Sequence, residues 1–115
     1  MSAADALKDF VADLLPAWRV QFGAWVDGAP EHTFAVIKPA GGARAELVRR
    51  PQFTLSLIGA KNAPTTDVQA AADLMIEAMR ADSGALISLQ PGEPAFMSTS
   101  DGRPVFEIAI LAISN

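Results

Sequence analysis

Apolar and polar side chains alternate along residues 53–57, where Phe53, Leu55 and Leu57 are separated by Thr54 and Ser56. A period of two marks a strand with one covered face. Ile58 then makes both sides apolar, so this strand runs from the wet end of a sheet toward its buried middle. Pro51, which cannot donate a ladder hydrogen bond, suits the strand's first position, and Gly59 marks its end. Two other stretches repeat with the helical period. Leu7, Phe10, Val11, Leu14, Leu15 and Trp18 share one helix face, and Val68, Ala71, Ala72, Met75, Ile76 and Met79 repeat the same offsets. Ser2 with Asp5 and Thr66 with Gln69 form capping boxes, with Thr66 as the N-cap of the second helix. Pro16 ends the first helix near Leu15. Arg80 suits the negative end of the second helix, Gly84 can close it, and Leu74 widens its apolar face. Helices are expected over residues 3–15 and from Thr66 to about Asp82.

The remaining strands follow from β-branched and aromatic runs between turn residues. Residues 19–26 and 33–38 predict two strands, with Asp27-Gly28 as a turn pair and an antiparallel pairing between them. Pro39 ends the second, and residues 39–43 read as a small-residue loop opening an arm that reaches Arg50. Residues 85–90 predict a short buried strand stopped by Pro91-Gly92. Residues 95–100 and 105–113 predict a hairpin turning at Asp101-Gly102. In its last strand Phe106, Ile108 and Ile110 point one way and Val105, Ala109 and Leu111 the other, which predicts a central strand covered on both faces. The expected fold class is α+β: two helices packed on one mostly antiparallel sheet of about five or six strands. Residues 1–115 are expected to form a single domain.

Composition narrows the functional classes. Half of the 115 residues are hydrophobic and 19% are charged, against about a quarter charged in an average soluble domain. Some of this apolar excess is available for an interface. The longest apolar run falls far short of the ~20 residues that span a bilayer, so no membrane association is expected. With no cysteine, neither a disulfide framework nor thiolate chemistry is available. The net charge of −4 opposes general attraction to nucleic acid, although a local cluster can still act.

Candidate chemistry is sparse. His32 is the only histidine and lies in a polar loop without a nucleophile motif, which predicts a surface residue. Asp5, Asp9 and Asp13 recur every four residues and predict a solvated helix face. Gly41-Gly42 lacks the spacing of a phosphate cradle. No catalytic, cofactor or metal site is expected. Trp18 and Trp25 predict core positions, as do Met75 and Met79. The remaining feature is basic: Arg44, Arg49 and Arg50, with Lys38 nearby, follow Gly41 and Gly42 on the arm. Such a cluster either blunts an exposed strand end or meets an acidic partner or phosphate backbone.

The run Phe34-Ala35-Val36-Ile37-Lys38-Pro39-Ala40-Gly41-Gly42, the strand Arg50-Pro51-Gln52-Phe53-Thr54-Leu55-Ser56-Leu57-Ile58-Gly59 and the ending Asp101-Gly102-Arg103-Pro104-Val105-Phe106-Glu107-Ile108, set between the two helices, resemble the small tail-terminator and minor-capsid proteins of long-tailed bacteriophages. The resemblance implies a structural virion protein made in the host cytoplasm. It implies a hexameric ring on the last ring of the tail tube, a surface for the head-completion or connector protein, and no catalytic residues. DNA passing through the ring lumen is a further contact to expect. By position, the arm carrying Gly41, Gly42, Arg44, Arg49 and Arg50 is where subunit or tube contacts are expected. A head-tail connector or neck protein is the alternative, and a small ligand-binding domain or enzyme is the rival from another class.

Overall fold

The structure is a computed structural model and describes residues 3–23, 32–43, 50–81, 88–99 and 102–113. It contains helices α1 (Ala3–Leu14) and α2 (Thr65–Ala81) and strands β1 (Arg19–Phe22), β2 (Phe34–Ala43), β3 (Arg50–Ile58), β4 (Ser88–Pro91), β5 (Ala95–Ser98) and β6 (Pro104–Ile113). The strands form one sheet in the order β1-β2-β3-β6-β4, with β5 also paired to β6. Every pairing is antiparallel except β1 with β2. The fold is α+β, as the patterning predicts.

Both helical stripes are core. Leu7, Val11 and Leu15 of the first, and Val68, Ala71, Ala72, Met75, Ile76 and Met79 of the second, join one cluster with Phe53, Leu55, Leu57, Phe106, Ile108 and Ile110. The helices therefore share one face of the sheet. Asp5, Asp9 and Asp13 are exposed, the solvated face expected of them. Trp18 packs against the core from a half-buried position, while Trp25 lies outside the described residues, as do Asp27-Gly28 and Gly84. Leu74 does not widen the apolar stripe, because it is 47% exposed. Since α2 begins at Thr65, Thr66 belongs to the first turn and is not the cap.

Gly59 sets how closely α2 approaches the sheet. Its N–H donates to the carbonyl of Pro104 at 2.8 Å. A Cβ there would lie 2.5 Å from Cγ2 of Val68 and 2.9 Å from Cγ of Pro104, so only glycine lets the first buried residue of α2 meet the end of β3 without displacing a neighbour.

Three expectations are corrected. First, β1 and β2 run parallel, with Arg19 opposite Phe34 and Phe22 opposite Ile37. The short strand needs a return path of only ~13 Å, and residues 23–33 are long enough to supply it, so a turn pair within that connection did not dictate a hairpin. Second, β2 does not stop at Pro39 but continues to Ala43 through a register shift between Pro39 and Gly41. A bulge absorbs the missing proline donor. Third, β6 is covered on both faces only near its start. There Val105 joins Phe34, Val36 and Ile58 in a second buried cluster, whereas farther along Ala109 is exposed and Leu111 half-buried.

Candidate assembly surface

The arm expected at residues 39–50 is largely sheet. Gly41 pairs with Gln52, Gly42 with Pro51 and Ala43 with Arg50. Gly41 and Gly42 are thus ladder residues that carry the hairpin past the bulge, rather than hinges of a loose loop. Arg50 is the first residue of β3, whereas Arg44 and Arg49 lie outside the described residues. Lys38 is exposed on β2 and stands opposite Thr54. Strand β1 pairs only with residues 34–37 of β2, and β6 pairs with β3 only from Gln52 onward. Among the described residues the last pairs of the β2–β3 ladder, Gly42 with Pro51 and Ala43 with Arg50, have no third strand paired to them.

Beside it, on the sheet face opposite the helices, lies a hollow of ≈ 300 Å³ lined by Gln52, Phe53, Thr54, Gln90, Gly92, Ala109, Ile110 and Leu111. Its polar side chains are amides and one hydroxyl. None of these side chains titrates, so the hollow is suited to exchanging hydrogen bonds with a neutral surface. Nearby, Ser56 Oγ donates to Glu107 Oε2 at 3.0 Å across the β3–β6 pair. Among the described residues no group of three or more His, Asp or Glu is placed to hold a metal ion. No described helix is long and apolar enough to cross a membrane.

At the opposite end of the sheet the structure corrects the reading of His32 and reveals a residue that sequence reasoning missed. His32 is half-buried rather than a surface residue. Its Nε2 lies 3.1 Å from an Arg19 guanidinium nitrogen, and because a guanidinium only donates, Nε2 is the acceptor. Arg103 is 1% exposed. Its Nη1 donates to the carbonyls of His32 at 3.2 Å and Gly59 at 3.3 Å, and its guanidinium carbon sits 5.5 Å from the centroid of the Phe34 ring. Its backbone N–H donates to Thr99 Oγ1 at 3.0 Å. One side chain thus ties the entry to β2, the exit from β3 and the β5–β6 turn together. Nothing in local periodicity marks an arginine for such a role.

Apart from Leu74 on α2, the large apolar side chains exposed among the described residues lie at the sheet's two edges. Phe22 on β1 is 45% exposed, and Phe96 and Met97 on β5 are 55% and 43% exposed. All four β5 residues are exposed.

Compared with known proteins, residues 1–115 match the model of a family described as phage tail termination protein. No curated protein matches the chain significantly.

Proposed function

Because the chain belongs to the phage tail termination protein family, whose model spans residues 1–115, we propose that copies of it form a hexameric ring that caps the tail tube, stops its growth and offers the surface to which the head joins. The observation that supports this reading is the end of the β2–β3 hairpin, whose last ladder pairs, Gly42 with Pro51 and Ala43 with Arg50, carry no third paired strand. Strand pairs without a further paired strand can take up a neighbouring protein while the sheet behind them keeps its shape. Its register brings Gly41 and Gly42 to the approach and Arg50 to the base, with Arg44 and Arg49 in the connecting sequence. In a chain of net charge −4, these arginines favour an acidic neighbour or DNA in the ring lumen. The partners are the tail tube protein on one side and the head-completion or connector protein on the other, and the location is the tail end of the virion. The role is structural, as the family description implies. The family description favours termination over a connector role.

Changing Arg44, Arg49 and Arg50 together to glutamate tests the joining surface. The purified protein is expected to keep its thermal midpoint, while ring formation or docking onto tubes falls. Electron microscopy of particles should then show tubes of uncontrolled length or tails without heads. Normal particles at wild-type yield would remove the hairpin end from the joining surface.

A further inference from the structure

The sheet's two edges match each other in register, face and length. Thr99 N–H donates to the carbonyl of Arg103 at 3.0 Å, and with Met97 opposite Val105 and Ala95 opposite Glu107 the alternation turns the N–H and C=O groups of Phe96 and Ser98 away from β6. On β1, Arg19 N–H donates to Thr33 and Gly23 N–H to Ile37. The same alternation turns the backbone groups of Val20 and Phe22 away from β2. Neither outward row has a ladder partner among the described residues. Strand edges are ordinarily blunted by charge, proline or a bulge, yet the β5 residues Ala-Phe-Met-Ser carry none of these.

We propose that β5 of one copy pairs antiparallel with β1 of the next, with Ser98 opposite Val20 and Phe96 opposite Phe22. This register joins all four outward-facing residues. It also keeps the faces consistent: Val20 packs against the core on the helix side, so Phe22, two residues on, lies on that side. Phe96 sits opposite Phe106 with ring centroids 5.3 Å apart, and Phe106 belongs to the same core. The two exposed phenylalanines thus meet as a cross-strand aromatic pair. Because the edges differ, the contact is head-to-tail, which repeats from copy to copy and closes when the rotation permits. A two-fold pairing of β5 with β5 centred on Met97 would place Phe96 opposite Ser98, and in any register such a pairing leaves β1 with Phe22 uncovered. The inference rests on the ring reading and names the strands that close it.

The register sets Gln21 opposite Met97 in a non-hydrogen-bonded pair, with Cα atoms about 4.5 Å apart, inside the roughly 4.4–6.8 Å range of disulfides. Since the chain has no cysteine, Gln21→Cys combined with Met97→Cys tests it directly. Mild oxidation of the assembled protein is expected to give a covalent ladder up to the full ring, and neither single variant is expected to cross-link. A covalent dimer from Met97→Cys alone would overturn the pairing in favour of β5 with β5. A native mass showing a multimer without a ladder in the double variant would overturn the edge pairing and leave the ring standing. A wild-type chain that is monomeric both in solution and at tail ends would overturn the ring reading and this inference with it.

Discussion

Replacing Ile108 with aspartate is expected to prevent folding, whereas the same change one residue on, Ala109→Asp, is expected to leave the protein folded. Ile108 is fully buried in the main cluster, opposite Leu55 of β3. An unpaired carboxylate placed there costs several kcal/mol or more, comparable with the roughly 5–15 kcal/mol that holds a whole domain together. Ala109 points to the other face, at the hollow, and is exposed. A charge there meets water and shifts stability by only about 0.5 kcal/mol. Circular dichroism and a urea titration of both variants check the contrast. A cooperatively folded Ile108→Asp protein would refute the central position of β6, and equal damage from both changes would refute the assignment of faces.

The second large effect is expected at Arg103. Arg103→Ala deletes the guanidinium that donates to the carbonyls of His32 and Gly59 and that lies over Phe34. One buried and one part-buried acceptor then lose this donor, and the space vacated beside the second cluster is only partly refilled. Together these cost about 3 kcal/mol or more. Arg103→Lys keeps the charge but loses the planar fork and its stacking, so it should fall between wild type and alanine. Denaturant midpoints rank the three proteins. A midpoint for Arg103→Ala that matches wild type would mean that the guanidinium merely fills space there.

Much of the fold was legible because the sequence states it locally. The stripes ending at Trp18 and Met79 could face a core only as helices, and Phe53, Leu55 and Leu57 could do so only as alternate residues of a strand. Residues 95–98 and 104–113 met across Gly102, whose φ of +89° fits the turn role read from its identity. What was not legible depends on distant partners. The direction of β1 relative to β2 is decided by how both pack, not by Asp27-Gly28. Pro39 read as a stop because its cost is local, while the bulge that absorbs it needs β3 alongside. From the sequence alone, the hairpin carrying Gly41 and Gly42 therefore reads as a loose arm, whereas both residues stand in the ladder. His32 looked like a surface residue because the two arginines that enclose it lie at other points of the chain, at Arg19 and Arg103.

The strand order β1-β2-β3-β6-β4 also bears on how the protein is made. The β2–β3 hairpin can form as soon as it leaves the ribosome, but β6 must then enter between β3 on one side and β4 with β5 on the other. Until residues 104–113 are synthesised, Phe53, Leu55 and Leu57 border an open edge, and α2 has only part of the surface it packs on. Pairings this distant in sequence close slowly, and unpaired apolar edges invite association with other chains during the wait. Nascent chains halted before Pro104 should accordingly be digested readily by a protease, with resistance appearing only once the middle strand is in place. Among the described elements, the one synthesised after the others is the one that lets them cohere.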